Sequence, residues 1–300
     1  MVDLNIKIPD DFLKEEIRCD YKVTRQMKEV WAVMLDLLNE LDRVCKKYNL
    51  IYYANGGTML GAIRHKGFIP WDDDLDIMMM REDYERLMAI GPKEFKHPYF
   101  LQNKYTEPNA PTFFAKLRNS ETTAFNKSEE HSFMEYNKGI FIDIFPLDKI
   151  PNEINEQKEF LKEVDLNKNI VINNARKIGL FSEDENHIKH LIKKLIYKMT
   201  KHKRKKEQNK FLQFFKNYEN VCCKYKNIKT EKMTIFAFNE LYYVSDFSNI
   251  VYKDFEFLKI PIPSGFHHSL KCIFGDYMTP KKYENHTSIF DTNKSYKLYF

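Results

Sequence analysis

Residues 56–77 read Gly56-Gly-Thr-Met-Leu-Gly-Ala-Ile-Arg-His-Lys-Gly-Phe-Ile-Pro-Trp-Asp-Asp-Asp-Leu-Asp-Ile77, and this stretch decides how the fold is interpreted. It begins with a glycine pair and a hydroxyl residue, and it ends with aspartates that lead into an apolar run. A Gly-Gly-Thr turn before a helix presents backbone N–H groups and a hydroxyl to a phosphate. We therefore predict that Gly56, Gly57 and Thr58 contact phosphate, and that Thr58 caps a short helix ending near Ile63.

The aspartates at the end of this stretch indicate a metal site. Asp74 and Asp76 lie on a predicted buried strand, and because side chains alternate along a strand, both point the same way, about 7 Å apart at Cα. Two such carboxylates repel each other and lose hydration, and Mg²⁺ bound together with a substrate phosphate compensates for both effects. The alternative is a solvated acidic turn after Pro70, but Trp71 and the apolar strand favour the metal site.

A third carboxylate occurs in the stretch Gly139-Ile-Phe-Ile-Asp-Ile-Phe145, which is typical of a strand and is closed by Pro146. Asp143 is its single charged residue, and a lone carboxylate is costly to bury. Asp143 either faces solvent at a strand edge or lies beside the strand of Asp74 and Asp76. In the second arrangement the three carboxylates converge on one or two metal ions.

Basic side chains near these carboxylates are candidates for neutralising phosphate charge. Arg64 belongs to the basic tripeptide between the glycine pair and the aspartates, where the alternative is an ordinary solvated loop. Lys116 and Arg118 alternate within residues 113–125, which predict a strand pair with a turn at residues 119–120. These two side chains either contact the donor substrate or form salt bridges with the aspartates.

The motifs resemble the LicD family of phosphotransferases. The resemblance covers residues 50–150 well, through the stretches 56–77 and 139–148, and it covers residues 255–286 loosely, through Phe274-Gly-Asp-Tyr-Met278. It implies an α/β fold of the nucleotidyltransferase type, with a mixed sheet flanked by helices. In that fold a glycine turn precedes an Asp-x-Asp strand and a later strand adds a third carboxylate, here Gly57-Thr58, Asp74 with Asp76, and Asp143.

The resemblance also implies an activity. Family members transfer phosphocholine, or a related phospho-alcohol, from CDP-choline or another CDP-alcohol to a hydroxyl of an oligosaccharide or lipid-linked glycan. The glycans are lipopolysaccharide, teichoic acid or capsule. Our hypothesis is that Asp74 and Asp76 hold Mg²⁺, or Mn²⁺, and that Asp143 shares the metal or takes the acceptor proton. The predicted donor contacts are Gly56, Gly57, Thr58, Arg64, Lys116 and Arg118.

The rest of the chain indicates a single catalytic domain over residues 1–300. Residues 22–150 and 255–300 form its predicted core, beginning with an amphipathic helix at 22–47, and residues 152–240 predict a helix-rich basic insertion. Within the insertion, residues 187–210 combine an apolar stripe with many lysines. This pattern fits a surface helix packed on the core, or a helix lying on an anionic membrane.

The composition limits the location and partners. A net charge of +5 is small for 300 residues, so no nucleic acid partner is expected from total charge. The five cysteines have no metal or disulfide spacing, and neither a signal peptide nor a run of ~20 apolar residues is present. We expect a cytoplasmic protein, in peripheral contact with the inner face of the membrane if residues 187–210 lie on it.

Two other functions use similar residues. A nucleotidyltransferase acting on RNA or a small molecule has the same glycine turn and carboxylates, with the lysine run as an RNA contact. A glycoside hydrolase also uses paired carboxylates, but it needs no metal.

Overall fold

The structure is a computed structural model that describes residues 1–126, 135–178, 201–282 and 288–298, without the side chains of residues 126 and 201–206. Most of the predicted basic helix at 187–210, including its apolar stripe, lies outside the described residues. Among the helices that the structure does describe, none is both long enough and apolar enough to cross a membrane.

The described ranges contain six α-helices, thirteen strands and two short 3-10 helices. The helices are α1 (Arg25–Tyr48), α2 (Gly56–Arg64), α3 (Arg81–Glu94), α4 (Ile154–Lys177), α5 (Lys201–Cys222) and α6 (Phe266–Phe274). The first strands are β1 (Glu16–Arg18), β2 (Tyr21–Val23), β3 (Tyr53–Ala54), β4 (Asp76–Met80), β5 (Tyr99–Gln102), β6 (Ala115–Asn119) and β7 (Thr123–Asn126). The remaining strands are β8 (Ile140–Ile150), β9 (Lys232–Ile235), β10 (Glu240–Tyr243), β11 (Ile250–Phe255), β12 (Leu258–Pro263) and β13 (Ser288–Asp291).

A seven-stranded mixed sheet forms the centre of the molecule. Its strand order is β10-β9-β8-β4-β3, and β6 joins β8 while β5 joins β6. Strand β4 runs parallel to β8, whereas the other pairs in this sheet are antiparallel. The predicted α/β fold, a mixed sheet flanked by helices, is confirmed.

Helix α1 covers one face of this sheet. It begins after Thr24, whose hydroxyl accepts a hydrogen bond from the backbone N–H of Met27 at 3.2 Å, and it ends at Asn49 in the left-handed conformation. Its apolar side packs against alternate residues of β4 and β8, including Ile77 and Ile144. The intervening residues of both strands therefore point to the opposite face of the sheet.

The segment after β8 builds a second apolar cluster. Helices α4 and α5 pack together through buried aromatic residues, among them Phe160, Phe211 and Phe215. Strand β9 then pairs with the end of β8, so residues 232–243 extend the central sheet.

Two predictions about β8 and its neighbours are wrong. Pro146 does not end the strand, because β6 bonds to residues 140–144 and β9 bonds to residues 148–150. Neither β6 nor β9 pairs with residue 146, so pairing with these two strands does not need the N–H that proline lacks. The predicted strand pair at 113–125 is also absent: both strands form, but β6 pairs with β5 and β8, while β7 pairs with β13.

A buried ion pair joins α3 to β8. Arg81 donates two hydrogen bonds to the carboxylate of Asp148, at 2.7 and 2.6 Å, and both side chains are almost completely buried. Removing one partner of a buried pair leaves an uncompensated charge.

We predict that Asp148→Ala lowers the free energy of unfolding by about 3–5 kcal/mol because it leaves the Arg81 guanidinium buried without its ionic partner. The matched control is Asp254→Ala, which breaks the exposed pair with Lys259 and is expected to change stability little. Urea denaturation of both variants checks this, and equal losses would contradict it.

Candidate active site

Strands β4 and β8 bring two of the predicted carboxylates together. In the parallel register Asp76 lies opposite Asp143, and the Asp143 N–H donates to the carbonyl of Leu75 at 2.9 Å. Both side chains point to the sheet face opposite α1. The predicted adjacency of the Asp143 strand to the Asp76 strand is confirmed, and the alternative of a solvent-facing edge strand does not apply.

Lys116 lies on the other side of Asp143. It is the antiparallel partner of Asp143 on β6, and its Nζ is 2.5 Å from Asp143 Oδ1. Of the two roles considered for Lys116, the structure shows the ion pair. Burial lowers the pKa of Lys116, although the charge of Asp143 opposes this effect.

Arg118 is buried on the same face of β6. Its guanidinium donates to Gln102 Oε1 at 2.6 Å and to the carbonyl of Gly139 at 2.7 Å. These bonds tie β6 to β5 and to the start of β8, so Arg118 has a structural role. A contact between Arg118 and the donor stays a prediction.

The glycine turn packs directly on the carboxylates. Gly56 has a φ of +46°, and a Cβ added at Gly57 would lie 2.8 Å from Asp72 Oδ2. A larger residue at either position would require a strained backbone or a displaced carboxylate. The glycine pair therefore lets the first turn of α2 approach the aspartates closely.

Thr58 does not cap α2, in contrast to the prediction. The helix begins at Gly56, and Asn55 occupies the N-cap position. The Thr58 hydroxyl oxygen instead accepts a hydrogen bond from the Asp76 N–H at 2.8 Å, while the Asn55 N–H donates to the Asp76 carbonyl at 2.9 Å. These two bonds fix the start of α2 to the start of β4, and phosphate contact by Thr58 stays a prediction.

The aspartates form a cluster of partly buried, mutually repelling carboxylates. Burial, reinforced by the charges of Asp143 and Asp73, raises the pKa of Asp74 to about 6. Burial also raises the pKa of Asp76, with further contributions from the charges of Asp74 and Asp143. The pKa of Asp72 rises for the same reasons, chiefly burial and then the charge of Asp74.

Asp72 is a site residue that the sequence reasoning missed. Asp72 belongs to the aspartate run, but strand alternation singles out Asp74 and Asp76 alone. Its carboxylate lies beside Gly57, and its backbone carbonyl accepts a hydrogen bond from Trp31 Nε1 at 3.0 Å. The only sequence signal was its position immediately after Trp71.

The donor set suits a hard divalent cation that arrives with its substrate. In the described parts of the chain, no three His, Cys, Asp or Glu side chains are arranged to enclose a metal ion. Mg²⁺ commonly takes one or two carboxylates and completes its coordination with water and substrate phosphates. The oxygen ligands and raised pKa values of Asp74 and Asp76 fit this mode of binding.

A cleft of about 510 Å³ opens beside the aspartates, between α2 and the segment that follows α6. One wall consists of Gly57, Arg64, Trp71 and Asp72–Asp74. The other wall contains residues 273–281, which include the third motif at 274–278. The fold therefore brings the loosely matching C-terminal motif next to the main motif.

Arg64 connects the two walls. Its Nη1 donates to the carbonyl of Tyr277 at 2.7 Å, and its Nε donates to Nε2 of His65 at 2.8 Å. Burial, followed by the charge of Arg64, lowers the pKa of His65 to about 4, so the imidazole is neutral and accepts this bond. The predicted contact between Arg64 and the donor stays a prediction, but its side chain does line the cleft.

The loop between the glycine pair and the aspartates is held by a stacked pair of rings and by a carboxylate from a distant hairpin. Phe68 stacks on Trp31 with ring centroids 4.7 Å apart and an angle of 8° between the rings. The carboxylate of Glu256, between β11 and β12, accepts from the Phe68 N–H at 3.1 Å and from Arg18 at 2.6 and 2.9 Å. These contacts fix the loop that carries Asp72 at its end.

We predict that Asp74→Asn stabilises the metal-free protein by about 1–3 kcal/mol at pH 7.5, because it removes a carboxylate whose ionisation is unfavourable in the folded state. Since the folded-state pKa is raised from 3.8 to about 6, wild-type stability falls as the pH rises through this window. At pH 4.5, which lies between the two pKa values, the Asp74 carboxyl of the folded state is mostly protonated, and the stabilisation is expected to be about a third as large.

Denaturant unfolding in EDTA at both pH values checks this prediction. Asp10→Asn, at an exposed position, makes the same change in net charge and serves as the control. The prediction is contradicted if Asp74→Asn raises the free energy of unfolding equally at pH 4.5 and pH 7.5, or at neither pH. Either result would show that the substitution does not relieve repulsion within the cluster.

Comparison with known proteins identifies similar sequences. A family model described as LicD/FKTN/FKRP, nucleotidyltransferase domain, matches residues 49–173. The chain is 28% identical over 259 residues to the lipopolysaccharide cholinephosphotransferase LicD of Haemophilus influenzae, covering 84% of this chain and 91% of that protein.

Two shorter matches are to uncharacterized proteins. Protein RP689 of Rickettsia prowazekii is 43% identical over 60 residues, which is 20% of this chain and 23% of that protein. Protein RT0683 of Rickettsia typhi is 42% identical over 60 residues, which is 20% of this chain and 19% of that protein.

Proposed function

Because the chain is a member of the LicD family, we propose that it transfers phosphocholine, or a closely related phospho-alcohol, from a CDP-linked donor to a hydroxyl of a cell-surface glycan. The observation that carries this proposal is the placement of Asp76 beside Asp143, against the glycine turn of α2. Similarity to a lipopolysaccharide cholinephosphotransferase over 91% of its length supports this choice of transferred group and acceptor.

The proposed reaction is a single in-line displacement. The acceptor hydroxyl oxygen attacks the donor phosphorus that carries choline, the bond from that phosphorus to the bridging oxygen breaks, and CMP leaves. The hydroxyl proton passes to a base at the site. Bound Mg²⁺, or Mn²⁺, would neutralise the charge that develops on the diphosphate and the departing CMP.

Each part of the site has a role in this displacement. Asp74 and Asp76 would hold the metal, and Asp143 would share it or accept the proton of the acceptor. Gly57, in the first turn of α2, lines the cleft, and the N–H groups of this turn would bind a phosphate there. Arg64 lies in the same cleft and adds positive charge for the phosphates.

Lys116 controls the position of Asp143. Its ammonium group lies 2.5 Å from Asp143 Oδ1 and is itself held over the ring of Phe141, 3.5 Å from the centroid. This contact keeps the Asp143 carboxylate on the face of the sheet where Asp76 projects.

We expect the purified protein to release CMP from CDP-choline in the presence of Mg²⁺ and a glycan acceptor, and to release none when EDTA replaces Mg²⁺. The panel contains CDP-choline, CDP-ethanolamine, CDP-ribitol and CDP-glycerol, with CMP measured by mass spectrometry. Absence of CMP from all four donors would contradict the proposal. Consumption of a nucleoside triphosphate with addition of a nucleotide to RNA would favour the nucleotidyltransferase alternative.

We also expect Asp74→Asn, Asp76→Asn and Asp143→Asn each to lower the transfer rate on the order of 100-fold or more, since each removes negative charge that the reaction needs. Asp10→Asn is the matched control and is expected to behave as wild type. Steady-state rates at a fixed Mg²⁺ concentration test each residue separately. If a variant keeps a near-normal rate, the role assigned to the substituted residue is wrong.

A further inference from the structure

The cleft beside the aspartates has the chemistry to recognise a cationic headgroup. We propose that it receives the quaternary ammonium group of the donor, against the rings of Trp71 and Tyr277. This inference rests on the proposed function and adds to it by assigning the residues that select choline over an uncharged alcohol.

The walls of the cleft combine aromatic rings with carboxylates. Trp71 and Tyr277 line it although they are only 6% and 7% exposed, and Phe274 lies at its more exposed rim. Asp72 and Asp73 belong to the same lining. A trimethylammonium group donates no hydrogen bond, so ring faces and nearby negative charge are the groups that bind it well.

The faces of these two rings are not covered by the protein's own cations. Elsewhere the chain places Lys28 over Phe12 and Arg18 over Trp31, at 4.8 and 5.6 Å from the ring centroids. In the described ranges no lysine or arginine lies over Trp71 or Tyr277 in this way. Trp71 packs edge-to-face with Tyr21 and His65, and Tyr277 packs in the same way with His267. A ligand cation would therefore meet the part of each ring that lines the cleft.

The two cations that do line the cleft are placed differently. Arg64 bonds to the backbone carbonyl of Tyr277 and not to its ring, and it lies on the wall that also carries Gly57 and Asp72. This position suits the diphosphate. Lys281 is exposed at the far end of the lining segment.

A second cleft near the carboxylates has the opposite character. It measures about 310 Å³ and is lined by Phe114, Phe125 and Phe141, among other residues. Here Lys116 and Arg118 lie over the ring of Phe141, at 3.5 and 4.6 Å from its centroid. These charges would repel a quaternary ammonium, so the aromatic character of the second cleft does not make it a rival site.

The reach of the donor supports the assignment. In phosphocholine the nitrogen is separated from the phosphorus only by an oxygen and an ethylene bridge. A phosphate held between Gly57 and Asp74 therefore places the ammonium group within the same 510 Å³ cleft, which is large enough for a small-molecule substrate. The motif at residues 274–278 then forms the wall that faces the headgroup.

Calorimetric titration of the full chain with CDP-choline, CDP-glycerol and CMP tests this proposal. Trp71→Leu and Tyr277→Leu are expected to weaken CDP-choline binding about tenfold, which is the effect expected for loss of a partly desolvated cation–π contact. The same substitutions are expected to change CDP-glycerol and CMP binding less than twofold, which also shows that the variants are folded. Tyr277→Phe keeps the ring and is expected to retain the preference for choline.

Tyr252→Leu removes an exposed ring outside both clefts and is the control, expected to leave the ratio of CDP-choline to CDP-glycerol affinity unchanged. Equal losses for both donors in the Trp71 and Tyr277 variants, or a wild-type protein without preference for CDP-choline, would overturn the proposal.

Failure of the proposed function is separately visible. In that case no CDP-alcohol yields CMP, and the cleft is tested with phosphocholine alone by saturation-transfer NMR of its methyl protons. Saturation that is present in wild type and lost in Trp71→Leu supports the headgroup site, and its absence from wild type rejects it.

Discussion

The parallel pairing of β4 with β8 is the constraint on which the site depends. It sets Asp76 opposite Asp143 on one face of the sheet, where like charges meet with little solvent around them. The neighbouring elements are arranged around this unfavourable contact: Lys116 pairs with Asp143, Thr58 binds the backbone of Asp76, and the glycine turn approaches closely because it has no side chains. The remaining repulsion raises the pKa values of Asp74 and Asp76, so that protonation relieves it.

The sequence predicts the carboxylate strands well because the information is local. Alternation within residues 74–77 and 139–145 gives the buried faces, and the structure agrees, although β4 begins at Asp76 and Asp74 precedes the strand on which it was predicted. The errors arise where a distant partner decides the outcome. Pro146 stays inside β8 because β6 and β9 leave a gap there, and Thr58 turns to Asp76 instead of capping its own helix. No pattern within a short window contains either fact.

The same limit explains why the cleft was not foreseen. Its second wall begins about 200 residues after Trp71, and the motif at 274–278 resembles the family only loosely. Glu256 is similarly distant, yet it fixes the loop at Phe68, and a Cβ on Gly67 would lie 2.1 Å from its carboxylate oxygen. The hairpin of β11 and β12 thus completes a loop within the segment that the family model matches, although the hairpin itself lies outside that segment.

The placement of tryptophan gives the protein an intrinsic optical reporter. The chain has only two tryptophans, and both touch the same loop. Trp31 stacks under Phe68 and holds the Asp72 carbonyl, whereas Trp71 borders the cleft. Emission excited at the indole band therefore arises entirely from the immediate surroundings of the aspartates, and occupancy of the cleft is readable in real time without an attached dye.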